Sequence, residues 1–165
     1  MSNSGHEKQI ERLETAVAQA RTSENPSEII SALTQLGQAH LAASNVPKAL
    51  TQFEEGLELA QAAGDKLLEG RMWGYRGICL MRLGNSHFAQ IALYKSHNLA
   101  KELDNKPLLI DALTQLGTLQ LDSGQSSKAI SKLEQAMGIA LADDDRPRTM
   151  HPAGKLGNIF FDIDS

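Results

Sequence analysis

The chain reads as an all-α solenoid of antiparallel helix pairs, and three observations say so. Gly37, Gly77, Gly117 and Gly157 recur at a spacing of forty residues, and a fixed period in this range marks a repeat array. Large and small side chains then alternate at fixed offsets from each glycine. Leu33, Trp73, Leu113 and Ala153 lie four residues before it, and Ala49, Ala89 and Ala129 twelve after. Phe53, Leu93 and Leu133 lie sixteen after, Gly56, Ser96 and Ala136 nineteen after, and Ala60, Ala100 and Ala140 twenty-three after. Two packed helices need this alternation: the large residue fills the space between them and the small one lets the backbones approach. Finally, residues of the inner face return at helical spacing in Ile29, Leu33, Leu36 and His40-Leu41, and again in Leu50, Phe53, Leu57 and Ala60.

Each forty-residue unit is therefore helix A, a short turn and helix B. The predicted helices run over about 8–18, 27–43, 46–63, 67–83, 86–103, 108–123, 127–142 and 150–161, with ends good to roughly two to four residues. The first has B-helix register, because subtracting forty places Leu13 at the position of Phe53, Ala16 at Gly56, Val17 at Leu57 and Ala20 at Ala60. The A-to-B turns are Ala43-Ser44-Asn45, Leu83-Gly84-Asn85 and Ser123-Gly124-Gln125. Gly84 and Gly124 suit the left-handed conformation that closes a helix. Asn45 and Asn85 are expected to cap the next N-terminus, and Pro47 to sit in a first turn, where no N–H is missed. The B-to-A turns hold Gly64-Asp65, Asp104-Asn105-Lys106-Pro107 and Asp143-Asp144-Asp145. Leu156-Gly157 opens a last A helix. One domain over 1–165 follows: a half-repeat at 5–22, repeats at about 27–66, 67–106 and 107–146, and a half-repeat at 147–165.

The second repeat reads Trp73-Gly74-Tyr75-Arg76-Gly77-Ile78-Cys79-Leu80, and the first continues Ala49-Leu50-Thr51-Gln52-Phe53. This resembles the tetratricopeptide repeat, with its pattern W-x2-L-G-x2-Y followed by A-x3-F. The likeness covers nearly the whole chain, in a subtype with a longer repeat than the usual one. It implies a right-handed superhelix whose concave groove is lined by helix A. By that resemblance the groove positions lie six and three before, and one and five after, each glycine. They carry Ser31, Thr34, Gln38 and Ala42; Arg71, Gly74, Ile78 and Arg82; and Asp111, Thr114, Thr118 and Asp122. Tyr75 stands beside the middle stripe. That stripe is basic and the third acidic, an arrangement that sets the direction of an extended peptide carrying both signs. Arg76 replaces the leucine found at Leu36, Leu116 and Leu156. It reads either as a packed stem whose head reaches a carboxylate such as Glu69 or as a ligand contact beside Tyr75.

Little else suggests chemistry. His6, His40, His87, His97 and His151 are scattered, and no His, Cys or carboxylate set has metal-ligand spacing, so no metal or cofactor is expected. Cys79 occupies the slot of Ala39 and Leu119 and reads as structural. No acid, base and nucleophile can be placed together, so the chain is not expected to be an enzyme. Its net charge of −4 offers no basic stripe for nucleic acid. No run is apolar for long enough to span a membrane, and no leader precedes the first helix, which suits a cytoplasmic protein. With aromatic residues at 4%, the core must rest on Leu, Ile and Ala.

The expected function is a noncatalytic scaffold that binds a protein or peptide. Two alternatives stand beside it. One is a regulatory fragment of a larger signalling protein. The other is weak homo-oligomerisation through the half-repeats, with Ile159, Phe160 and Phe161 of the last helix meeting Leu13 and Val17 of the first in another chain, as against a last segment that folds back as a cap on its own array.

Overall fold

The computed structural model of the chain describes the backbone of residues 3–163 and the side chains of residues 5–145 and 147–158. Eight helices follow one another: α1 (Asn3–Thr22), α2 (Pro26–Ala42), α3 (Val46–Ala63), α4 (Lys66–Arg82), α5 (Ser86–Glu102), α6 (Lys106–Asp122), α7 (Ser126–Ala142) and α8 (Arg146–Ile163). No strand occurs among the described residues. Each helix packs on its chain neighbours, and the even-numbered A helices also touch across repeats, α4 on α6 and α6 on α8. The result is a solenoid of antiparallel pairs.

The two end helices exceed their sequence-predicted lengths. α8 begins at Arg146 rather than near residue 150. Pro147 falls in its first turn, where the fixed φ suits a helix and the missing N–H has no partner to lose. Pro152 lies inside α8 and is buried. It occupies the register of Met72 and Ala112, so packing against the preceding repeat offsets the lost hydrogen bond.

Helix ends repeat at half the sequence period. Glu24, Ser44, Gly64, Gly84, Asp104, Gly124 and Asp144, spaced by twenty residues, all have positive φ between 49° and 75°. From Ser44 onward each such turn closes with two backbone bonds. At the first of them Asn45 N–H reaches the His40 carbonyl at 2.8 Å and Ser44 N–H the Leu41 carbonyl at 3.1 Å. This double closure satisfies carbonyls that the helix end leaves open. Gly84 and Gly124 take the left-handed conformation as expected.

Side-chain capping departs from expectation. Asn45 and Asn85 stand at the N-cap positions of α3 and α5 but make no cap bond. The caps belong to the A helices. Asn25 Oδ1 accepts from Ser27 N–H at 3.1 Å, Asp65 Oδ1 from Leu68 N–H at 2.9 Å, and Asn105 Oδ1 from Leu108 N–H at 2.9 Å. Backbone torsion decides between the two groups. ψ is 110°, 93° and 94° at Asn25, Asp65 and Asn105, but only 65° and 63° at Asn45 and Asn85. The extended residue carries its side chain back over the first turn, as capping requires, and the less extended one does not.

The forty-residue glycine is explained by helix crossing. A Cβ on Gly37 would lie 2.6 Å from the Phe53 ring, one on Gly77 2.6 Å from Leu93, and one on Gly117 2.8 Å from Leu133. The large residue sixteen positions later therefore sits directly on the glycine of its own A helix. Phe53, Leu93 and Leu133 are fully buried, as are Ala49, Ala89 and Ala129 at the same crossings. The small residue three positions further along faces the next A helix instead: a Cβ on Gly56 would meet Met72 Sδ at 2.9 Å. One continuous core runs from α2 to α6, with Ile30, Phe53, Met72, Leu93 and Leu116 among its members.

Candidate partner-binding groove

The A helices open a hollow of about 670 Å³ between them. α2 lines it with Ser27, Ile30, Ser31, Thr34 and Gln35, and α4 with Leu68, Arg71, Met72, Gly74, Tyr75 and Ile78. α6 adds Leu108, Ile110, Asp111, Ala112, Thr114 and Gln115, α8 adds Pro147, Arg148 and His151, and Ser96 reaches in from α5. A residue lines the hollow when it lies on the inward stripe of an A helix, and positions three and four apart share that stripe. The lining comes mostly from the N-terminal halves of these helices.

The sequence-predicted groove residues divide accordingly. Thr34, Arg71, Tyr75, Ile78, Asp111 and Thr114 line the hollow, whereas Gln38, Arg82, Thr118 and Asp122 lie outside its lining. Two of the outer four tie helices together. Gln38 Nε2 donates to the Tyr75 hydroxyl at 2.6 Å, and an Arg82 guanidinium nitrogen donates to the Leu41 carbonyl at 3.0 Å. Tyr75 also stacks on Phe53 with 4.7 Å between centroids and 9° between planes, so this wall is fixed from two sides. Thr114 is buried, with its hydroxyl donating to the Ile110 carbonyl at 2.8 Å. Thr34 and Thr118 likewise spend their hydroxyls within their own helices, on Ile30 and Thr114.

The hollow carries both charge signs. Arg148 pairs with Asp145 at 2.7 Å and approaches Asp111 at 3.9 Å, and its bond holds the Asp145 carboxyl below the usual range. The Asp111 carboxylate meets solvent, yet protein surrounds it in the hollow. That desolvation pushes its carboxyl above the ordinary carboxylate range, against the pull of Arg148 and Arg71. Arg71 is exposed and feels Asp111 only at longer range. The α8 residues Arg148 and His151 were not among the groove positions drawn from the sequence. His151 stands six residues before Gly157, the offset shared by Ser31, Arg71 and Asp111, so the register contained the signal for it.

Arg76 faces the other way. Its Nε pairs with Glu54 of α3 at 3.0 Å, not with Glu69, and its guanidinium lies 5.3 Å from the Trp73 ring centroid. Glu69 instead accepts from Lys66, Gln61 and Trp73. Cys79 is fully buried, and burial raises its thiol pKa to about 11, which leaves it protonated and inert. Val17 is buried and Leu13 half-buried in a cluster with Leu33 and Leu36 of α2. The side chains of Ile159, Phe160 and Phe161 lie outside the described residues. No group of three or more metal-ligating side chains occurs among the described residues, and no described helix is long and apolar enough to cross a membrane.

A sequence profile of the tetratricopeptide repeat matches residues 68–142, from the first turn of α4 to the end of α7. No curated protein sequence matches the chain. Among solved structures, the apo form of RapI is similar with a TM-score of 0.74 at 18% identity, over 82% of this chain and 50% of that one. The chain thus spans about half the length of RapI. BtubC (BKLC) from P. vanneervenii is similar with a TM-score of 0.62 at 11% identity, over 97% of this chain and 92% of that one. At such identities the likeness is one of fold. Residues 68–142 are thus matched as tetratricopeptide repeat, and the glycine crossing at Gly37 and the paired helices continue the same packing outside that segment.

Proposed function

We propose that the chain is a noncatalytic, cytoplasmic scaffold that holds a protein or peptide segment in the hollow lined by its A helices. Tetratricopeptide repeats are protein-interaction modules, and the observation that carries the groove reading is the hollow itself. It is concave, it has an apolar floor of Ile30, Met72 and Ile78, and it carries a few charged groups at its walls. Arg71 supplies attraction for an acidic residue of the partner, while Tyr75 gives a rigid surface for packing. Affinity capture followed by mass spectrometry tests this. A partner held by the unaltered chain should be lost with Arg71→Glu and with Tyr75→Ala, while helicity is retained. Capture that survives both changes would move the site off the hollow.

A second reading is favoured by one observation. Gly157 has the register of Gly37, Gly77 and Gly117, yet nothing lies within 4 Å of where its Cβ would be among the described residues. Leu13 has the register of Phe53, yet it is only half-buried. The two are complementary halves of one crossing, and in two chains they would meet head to tail. Leu13→Cys together with Gly157→Cys should then cross-link chains under oxidation, with Cys79 too buried to take part. A strictly monomeric product on a denaturing gel removes this reading.

A further inference from the structure

The B helices α3, α5 and α7 are equivalent by register, and their outer faces should be interchangeable. Two of them are. α3 presents Lys48, Thr51 and Glu54, and α7 presents Lys128, Ser131 and Glu134. At the same three positions α5 presents Phe88, Ile91 and Tyr94, which are 51%, 41% and 36% exposed. The flanking turns follow suit: exposed Leu83 and Leu103 stand where the neighbouring repeats have Ala43 and Ser123, or Ala63 and Asp143. The fold does not ask for apolar residues here, because the sister helices do without them. Single exposed apolar side chains are ordinary, but a contiguous group confined to one repeat marks an interaction surface.

The charge on this helix leans basic. α5 carries Lys95 and Lys101, with His87 and His97, against one carboxylate, Glu102 in the last turn, in a chain whose net charge is −4. Lys95 Nζ is drawn 4.0 Å over the ring of Trp73 on α4, so the cation stands at the edge of the ridge and leaves its crest apolar. Pairing this ridge with that of a second copy would bring together two faces that each carry two lysines and a single glutamate, a net repulsion. We propose that the outer face of α5 is a second docking surface whose occupant is an amphipathic helix of another protein, with apolar residues at helical spacing and acidic residues flanking them. This surface is separate from the hollow, since Phe88, Ile91 and Tyr94 take no part in its lining.

Two synthetic helical peptides of about five turns test it. They share the same leucines at i, i+3, i+4 and i+7, and they carry either glutamate or lysine at the flanking positions. Fluorescence anisotropy measures each against the full chain and against the variant Phe88→Lys, Ile91→Thr, Tyr94→Glu. That variant places residues of α3 on α5, at positions where the fold already accepts them; Phe88→Lys alone serves if the triple change unfolds. The glutamate peptide should bind and lose at least about tenfold in affinity with the variant. Its binding should weaken with salt, outlast Arg71→Glu, and exceed that of the lysine peptide. No binding, equal binding of both peptides, or binding undiminished by the variant would overturn the proposal. So would self-association of the unaltered chain that the variant abolishes, since the ridge would then belong to a second copy.

Discussion

The crossings inside the three full repeats and those at the two ends share one register but not one environment. At Gly37, Gly77 and Gly117 a methyl group would run into the side chain sixteen residues later; at Gly157 it would meet nothing among the described residues. Phe53, Leu93 and Leu133 are fully buried, while Leu13 in the same register is half-buried. The glycine is therefore a requirement of the pair and not of the helix. At Gly157 the residue type persists without a contact among the described residues that requires it.

The largest test is truncation of the large partner. Phe53→Ala should cost about 3–5 kcal/mol, and Leu93→Ala or Leu133→Ala about 2–5 kcal/mol, because each leaves a cavity in a closed crossing. Leu13→Ala should cost clearly less, since that side chain already meets water. Urea unfolding monitored by circular dichroism gives the four values. A loss at Leu13 equal to that at Leu93 would erase the distinction between interior and end.

The glycines themselves come next. Gly77→Ala and Gly117→Ala should destabilise by about 1–3 kcal/mol, by overpacking. The nearest atoms include Leu93 Cγ at 2.7 Å and Leu133 Cγ at 2.8 Å, which are branch points and not mobile tips. Ala89→Leu at the same crossing belongs to this class and size. Gly157→Ala should instead stabilise by about 0.5–1 kcal/mol, because alanine is the better helix former and nothing among the described residues obstructs it. Thermal melts of Gly77→Ala and Gly157→Ala that shift in the same direction would break the comparison.

These contrasts also show why parts of the structure were legible in the sequence and others were not. The glycine period and the alanines twelve residues later report steric contact, and steric contact leaves a residue-type signature at fixed spacing. Burial of Ala89 and Ala129 follows from it. Capping was less legible because an asparagine before a helix is a cap only if ψ carries its side chain over the first turn, and ψ differs between the two kinds of junction. Arg76 was readable as a departure from the repeat, but its partner Glu54 lies on another helix and no local pattern names it. The hollow was legible as a face and not as an extent. Offsets from the glycine found Thr34, Arg71, Ile78 and Asp111, but could not say that the lining stops before Gln38, Arg82, Thr118 and Asp122. In α8, His151 was legible from its offset to Gly157, whereas Arg148 lay before the predicted start of that helix near residue 150.

Capping gives a smaller test of the same two classes of junction. Asn105→Ala removes the bond to Leu108 N–H and should cost about 1 kcal/mol. Asn85→Ala removes no cap bond and should leave the unfolding midpoint nearly unchanged. Similar losses for both would mean that the torsional distinction between A-helix and B-helix starts is not what selects the cap.

The smallest effect is one of pH, and it sets the first repeat against the second. His40 and Leu80 occupy the same register, and both are buried. His40 Nδ1 has no hydrogen-bond partner. Burial lowers its pKa, Lys48 lowers it further, and Glu14 pulls weakly the other way. The folded chain therefore holds this imidazole neutral, while the unfolded chain takes up a proton near the ordinary histidine value of about 6.5. Below that value the unfolded state binds more protons, so stability is complete above it and falls as the pH drops toward the lowered folded value. His40→Leu installs the residue of the second repeat and removes that titration. Urea midpoints at about pH 7.5 and about pH 5.5, on either side of the ordinary value, should fall further for the unaltered chain than for the variant. Equal falls would place the acid sensitivity elsewhere and leave the two repeats alike at this position.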